Sequence, residues 1–392
     1  MKLDLLYEFQ PAIAPYDAKP HPYGQREAEQ SVYHEGIEQI QLADRLGFGT
    51  VWCVEHHFRE RRSACPTPEA VLGGLALTTK QIRLGFGVVL MPFGFVHPAR
   101  VAEKVATVDV LSRGRVEWGT GRSTPMEQTA FHVPTDEHSK EQWKEAVQIV
   151  VRMWEEKRFS YESPNLSFPE RVQTPKPWQD PHPPCWVAAA SARSAEIAGE
   201  NGVGLLSFSL FQPVSTMAEH IARYRAAHAR CAKPLTRVPN DRVGAYTLVH
   251  CCDDLAEAEG YGLWESVRWW YRHLAQFTLE WEFPNLSPAE QREVFPLLES
   301  QIGAPVPVER YQQEDMIICG TPEMCLEKIL RYEEAGVDQL LCYVQFGTLP
   351  HEKVMRCLDL LGTKVIPALE RRGHRVGGAR PAGGGGGSGA WT

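Results

Sequence analysis

The chain has 392 residues, of which 43% are hydrophobic, and 49 acidic side chains against 41 basic ones give a formal net charge of −8. No Lys/Arg-rich block is present, which excludes the usual signature of a nucleic-acid partner, and no apolar run reaches the ~20 residues a membrane helix needs. Ten cysteines are scattered without a C-x-x-C pair, so packed, reduced thiols and a cytoplasmic location are expected rather than a disulfide framework. The opening Met1-Lys2-Leu3-Asp4 puts an acid into the first apolar run and does not read as a signal peptide. By length the chain suits two domains, or one α/β barrel of ~250 residues carrying insertions.

Leu3 to Phe9 reads as a first strand. A long loop rich in Pro, Tyr and Gly follows from Gln10 to Gln25, and loops of that length in compact domains tend to be functional. A helix over about Gln30 to Leu46 carries Ile37, Ile40, Ala43 and Leu46 on one stripe and stops at Gly47, a left-handed cap. The next run, Val51 to Phe58, is apolar and β-prone and ends in Glu55-His56-His57-Phe58. Polar groups at the C-terminal end of a buried parallel strand are where α/β folds place their chemistry. Adjacent strand residues face opposite sides, so only one of His56 and His57 lines a pocket while the other packs or orients it. Histidine is the usual near-neutral acid/base group.

Further strands are expected at Leu84–Leu90, Arg115–Gly119, Pro184–Ala188 and Val243–His250, and in the runs Gly202–Leu206 and Gly336–Leu341. Helices fill the gaps, including Pro68–Thr79 and Pro98–Leu111. The helix–glycine–strand junction at Gly47 recurs at Gly202 and Gly336, which points to repeated βα units and a parallel sheet. Eight strands with helices between them favour a closed (β/α)8 barrel over an open doubly wound sheet. Residues 1–372 are therefore read as one domain. A helical insertion at about 251–313, after the seventh strand, carries Trp264, Trp269, Trp270, Tyr271, Phe277, Trp281 and Phe283. Its position at a strand's C-terminal end suits a lid or pocket wall. Residues 373–392 read as a disordered Gly-rich tail.

Several loops carry candidate chemistry. Gly119-Thr120-Gly121-Arg122 lets a ligand approach the backbone, and Arg122 can fork onto a phosphate; an ordinary βα loop looks similar, and no third glycine makes it a dinucleotide fingerprint. Ala190-Ser191-Ala192-Arg193-Ser194 opens a helix with Ser191 as N-cap, which serves either plain capping or an anion at the helix N-terminus. Gly85 and Gly87 inside a strand mark a bulge or a close approach. His97-Pro98 reads as a helix entry. Glu55, His56, His57 and His97 have metal-binding atoms, but alternating strand faces spoil a three-ligand set, and no metal is expected.

Together these segments resemble the bacterial luciferase-like, flavin-dependent monooxygenase family. The match lies in Glu55-His56-His57-Phe58, in Leu84–Arg100, in Leu111–Arg115 running into Gly119–Arg122, and in Ala190–Ser194; Cys319–Glu323 and Gly336–Asp338 also fit. The resemblance implies a TIM barrel binding FMN at its C-terminal face, with the phosphate near Arg122, Ser191 and Ser194. It implies His56 as the catalytic histidine, with Glu55 or a neighbour setting its tautomer. Gly87-Val88 falls where the family has a non-prolyl cis peptide under the flavin ring. Gly121 stands where luciferase itself has a reactive cysteine, so light emission is not implied. The resemblance further implies FMNH2 delivered by a separate NAD(P)H:flavin reductase, since this chain has no nicotinamide fingerprint. O2 chemistry through a C4a-peroxyflavin on a small apolar organic substrate would follow, in a homodimer formed through Pro68–Thr79 and Pro98–Leu111. F420-dependent hydride transfer and non-catalytic FMN binding are the alternatives.

Overall fold

The computed structural model describes residues 1–11, 22–59, 62–207, 213–277, 287 and 307–377. Strand β1 (Lys2–Tyr7) leads through α1 (Pro22–Leu46) to β2 (Thr50–Cys53), α2 (Pro68–Thr78), β3 (Arg83–Leu90), α3 (Pro98–Ser112) and β4 (Val116–Gly121). A short α4 (Pro125–Ala130), the long α5 (Glu137–Glu155) and a hairpin of β5 (Phe159–Glu162) and β6 (Ser167–Arg171) separate β4 from β7 (Cys185–Ala189). The βα rhythm then resumes with α6 (Ala192–Glu200), β8 (Gly204–Ser207), α7 (Val214–Ala229) and β9 (Val243–Cys251).

Strands β1, β2, β3, β4, β7, β8 and β9 pair side by side, all parallel. Strand β11 (Gln339–Tyr343) joins β9 back to β1 and closes the ring. This is the closed parallel (β/α)8 barrel that the sequence predicts. Strand β10 (Ile317–Gly320) is an addition: it pairs only with the C-terminal half of β9, from Leu248 to Cys251. It and α4 are too short to leave a periodic signal. Helix α1 begins at Pro22, earlier than the expected Gln30, because its first turns are polar and show no apolar stripe.

Two tryptophans fill the barrel. Trp52 on β2 and Trp186 on β7 meet edge to face, with ring centroids 5.4 Å apart. Each needs a glycine on the neighbouring strand. A Cβ on Gly85 would lie 2.4 Å from the Trp52 ring and one on Gly204 2.6 Å from the Trp186 ring, and in register these glycines sit beside the tryptophans. The polar edges of both indoles are tied to carboxylates at the strands' N-terminal ends. Asp4 accepts from Trp52 Nε1 (2.9 Å), Thr50 N (3.0 Å) and Gln339 Nε2 (2.6 Å). Glu117 accepts from Trp186 Nε1 (2.7 Å), Arg83 Nε (2.6 Å) and Arg242 Nη2 (3.0 Å). Burial outweighs these donors at Asp4 and pushes its carboxyl up to about 6. The N-terminal end of the barrel is therefore plugged by packed side chains, with both indole N–H groups satisfied.

After β9 the chain forms α8 (Leu255–Gly260), α9 (Leu263–Phe277) and α10 (Val308–Gln313), followed by β10, α11 (Pro322–Glu334), β11 and α12 (His351–Leu360); a π-turn at Leu361–Val365 continues into α13 (Ile366–Gly377). Of the insertion's aromatics, Trp270 packs edge-on against Tyr343 of β11 at 5.7 Å. Tyr271 stacks on Tyr311 at 4.4 Å and donates to the Met316 carbonyl (3.1 Å). These side chains anchor the described part of the insertion to the barrel. Trp281, Phe283, most of the expected Gln10–Gln25 loop and most of the Gly-rich tail lie outside the described residues.

A Cβ on Gly119 of β4 would fall 2.1 Å from the backbone oxygen of Phe86 on β3. That clash is with a ladder carbonyl rather than a flexible side chain, so it can be relieved only by parting the strands. We expect Gly119→Ala to destabilise the fold by about 2 kcal/mol or more, read as a lowered urea midpoint; an unchanged midpoint would contradict the packing described.

Candidate active site

The residues singled out by sequence come together on one rim. His56 follows β2, Gly87-Val88 lie in β3, Gly121-Arg122 end β4, and Ala190-Ser191 follow β7. These four strands are consecutive neighbours in the ring, so their C-terminal ends stand side by side. The mouth above the tryptophans is open. Ala188, two residues beyond Trp186 and on the same face of β7, is exposed although it lies within a barrel strand. The walls there are low: Gly121, Val88, Ala188 and Ala190. The Gly87–Val88 peptide bond is cis. Val88 packs so closely over Gly121 that a Cβ there would meet Val88 Cγ2 at 2.5 Å.

The two histidines part as strand alternation requires. His57 turns into an aromatic cluster, edge-on to Phe131 at 4.8 Å and 6.4 Å from Phe95. The side chain of His56 keeps 21% of its surface exposed, and its Nδ1 lies 3.1 Å from Glu127 Oε1. Glu127, in the first turn of α4, is fully buried and collects donors. Oε1 also accepts from His57 N (2.8 Å) and Arg59 Nε (2.9 Å), while Oε2 receives the Ser123 hydroxyl. Arg59 is further held by Thr124 Oγ1 at 3.0 Å. Burial works against a charge on Glu127, but the nearby His56 and Arg59 outweigh it and hold the carboxyl at about 2. Two non-glycine residues flank this cluster in the left-handed region, Phe58 (φ 59°) and Ser123 (φ 64°). Such backbone tends to be held in place around functional sites.

Glu55 takes a different place from the one expected. It lies on the outer face of β2's end, accepts from Leu90 N (3.2 Å), and sits 3.5 Å from His57 Nε2 and 3.6 Å from Lys104 Nζ. It ties the end of β2 to the end of β3, while Glu127 is the carboxylate beside His56. Nothing in the spacing announces Glu127, which follows Gly121-Arg122 by a short helix and is brought to His56 by the adjacency of loops. The available signal was only that a carboxylate stands in the first turn of a segment leaving the same rim. A second buried pair lies nearby. Arg62 grips Glu8 at the end of β1 through Nε (3.0 Å) and Nη2 (3.3 Å), and together with His56 and Arg59 it outweighs burial and lowers that carboxyl.

Arg122 is mostly buried and donates from Nη1 to Ser139 Oγ (2.8 Å); desolvation lowers its pKa. Continuing the β4–β7 register beyond Thr120↔Val187 brings it alongside Ala189, next to the start of α6. Ser191 and Ser194 form a capping box there: each hydroxyl accepts from the other's backbone N–H, at 3.2 and 2.9 Å. Capping is therefore real, and Ser191 is also exposed at the mouth. His97 caps α3, accepting from Ala99 N at 3.1 Å, and is a helix-entry residue. Among the described residues no group of three His, Cys, Asp or Glu side chains is arranged to hold a metal ion, all ten cysteines are free, and no helix is long and apolar enough to cross a membrane.

A parallel barrel whose C-terminal rim gathers an imidazole, small residues and a helix N-terminus has the layout of a barrel enzyme's active site. The model of the luciferase-like monooxygenase family matches residues 16–339, and the chain belongs to that family. The oxygenase component of flavin-dependent trigonelline monooxygenase from Acinetobacter baylyi is 24% identical over 347 residues, covering 88% of this chain and 92% of the relative. An F420-dependent glucose-6-phosphate dehydrogenase from Microbacterium testaceum is 22% identical over 350 residues, covering 88% and 96%. The crystal structure of monooxygenase RslO1 from Streptomyces bottropensis superposes with a TM-score of 0.74 at 26% identity, over 94% of this chain and all of that one. Family membership makes the protein an oxidoreductase of the luciferase-like class.

Glu127 also carries a pH signature. In an unfolded chain its carboxyl titrates near ~4.3, while in the fold it is held at about 2. A depressed carboxyl contributes stability that is present above the unfolded value and lost as pH falls through the folded one. Acid unfolding between about pH 4 and 2 should therefore be shallower in Glu127→Gln than in the native protein; identical slopes would contradict the paired carboxylate.

Proposed function

We propose that this protein is the oxygenating component of a two-component system, using FMNH2 from a separate NAD(P)H:flavin reductase and O2 to oxygenate a small apolar organic substrate. The observation that carries the reading is the mouth itself: a wall of Gly121, Val88, Ala188 and Ala190 over the cis peptide, beside an imidazole, with a serine-capped helix start at the edge. Larger side chains at these positions would fill the space a tricyclic ring needs, so the residues present fit a flavin. Ser191, Ser194 and the α6 N-terminus would hold the phosphate, because free N–H groups and the helix dipole favour an anion, with Arg122 beside them. Bound reduced flavin would supply the electrons that activate O2.

The chain's own residues would position, dry and protonate. His56 stands at the mouth and moves a proton at its free nitrogen. The insertion after β9 is proposed as the pocket wall or lid, anchored through Trp270 and Tyr271; water exclusion at such a site suppresses side reactions. A second reading, F420-dependent hydride transfer, draws support from the F420-dependent relative aligned over 88% of this chain. Turnover with reduced F420 or its oxidised form under strictly anaerobic conditions would favour it. A homodimer through α2 and α3 is proposed as well, because these helices leave Leu77 (72% exposed), Val110 and Leu111 facing outward.

We expect FMN titration, followed by flavin fluorescence, to show one site per chain, weakened at least about tenfold in Ser191→Asp by charge repulsion at the phosphate. With reduced FMN supplied, His56→Ala should lower substrate-dependent oxygenation by about 100-fold or more; undiminished oxygenation would remove His56 from the chemistry. Leu111→Glu should convert a dimer to a monomer in light scattering, and an unchanged mass would place the contact elsewhere.

A further inference from the structure

We infer that Glu127 is the positioning residue for His56, locking its ring in the Nδ1–H form so that Nε2 presents a lone pair to the mouth. The inference deepens the proposed function and rests on it only for the consequence; the tautomer itself is a property of the cofactor-free protein.

The geometry leaves one assignment. An ionised carboxylate only accepts hydrogen bonds. Glu127 Oε1 already takes two N–H groups that can only donate, His57 N at 2.8 Å and Arg59 Nε at 2.9 Å, and it lies 3.1 Å from His56 Nδ1. The ion pair with Arg59 is buried on both sides, and the carboxyl is held at about 2 by His56 and Arg59 against the cost of burial. Nδ1 must then be the donor, and in the neutral ring the proton is absent from Nε2. Among the described residues Nε2 meets no hydrogen-bonding partner. Glu8, another buried carboxylate that feels the charge of His56, has both oxygens engaged by Arg62. A base, its orienting carboxylate and the groups that aim the carboxylate thus form a chain that runs inward from the mouth. This is the arrangement by which a neutral imidazole is made ready to accept a proton and its cationic form is stabilised afterwards.

A consequence is that His56 begins its work as an acceptor. It takes a proton from substrate, water or cofactor before it returns one, and it cannot open by donating a hydrogen bond from Nε2. Glu127 touches none of the reacting atoms and acts only through the ring.

Selective 15N-histidine labelling and two-bond 15N–1H correlation at pH 8.5 test this without flavin or substrate, with His56→Asn identifying the signals. At that pH an ordinary imidazole, titrating near ~6.5, is neutral. We expect a single Nδ1–H pattern in the native protein. Glu127→Gln should keep it, because His57 N and Arg59 Nε hold the amide oxygen where Oε1 was and Ser123 Oγ can accept from the amide nitrogen. Glu127→Ala should lose the single pattern and move toward Nε2–H while the other histidine signals stay in place. If Glu127→Ala does not fold, Glu127→Met, of similar length, makes the same comparison. An Nε2–H pattern in the native protein, or an unchanged Nδ1–H pattern in Glu127→Ala or Glu127→Met, where the acceptor oxygen is gone, overturns the inference. Because this readout needs no turnover, a failure here is distinct from a failure of the proposed oxygenation.

Discussion

The edge-to-face contact between Trp52 and Trp186 is the constraint on which the rest depends. Two indoles from strands three places apart in the ring occupy its lower cross-section, and they fit only because Gly85 and Gly204 leave the adjoining strands bare. Their N–H groups cannot be left unpaired in that interior, so Asp4 and Glu117 stand beneath them. The plug makes the barrel one-ended. With its N-terminal half packed, the exposed interior surface among the described residues lies above the tryptophans, where the strands end and the βα loops begin. That is why an exposed alanine appears inside β7 and why the chemistry-bearing side chains meet there.

Buried carboxylates recur, and they do different things. Asp4 and Glu117 hold indoles and strand starts. Glu55 ties the end of β2 to the end of β3, and Glu8, just after β1, holds Arg62. Glu127 joins a backbone N–H, a guanidinium, a hydroxyl and the imidazole of His56 at the mouth. A buried ion pair is weak evidence for stability, since desolvation offsets most of the attraction. Its better-founded use is orientation, and at Glu127 each donor restricts where the carboxylate, and hence the ring, can point. The left-handed backbone at Phe58 and Ser123 belongs to the same arrangement, because both residues adjoin groups that converge on Glu127.

The insertion after β9 shows how composition and contact diverge. Its position after a strand's C-terminal end suggested a lid or pocket wall, with its aromatics packed on the barrel as the plainer reading; of these, Trp270 packs on Tyr343 of β11 and Tyr271 on Tyr311 within the same insertion. An aromatic-rich stretch beside a pocket must first bind itself to the scaffold before any part of it can move, and amphipathic periodicity cannot say which ring does which task. His97 is the converse case: a histidine among site motifs whose proline neighbour marked it as a helix cap, which it is.

Much of the architecture was legible in the chain. Glycine-terminated helices leading into continuous apolar strands specify βα units, and eight of them favoured a closed barrel over an open doubly wound sheet, which buries both strand faces as well. Strand alternation alone separated His56 from His57. What the sequence could not supply was the partner of His56. Glu55 is adjacent to it in the chain but leaves the strand on the opposite face, whereas Glu127 is 71 residues away and arrives only because β2 and β4 flank β3 and their loops fold over the same rim. Local order dictates which way a side chain leaves the backbone; which distant groups it then meets is decided by the closure of the ring.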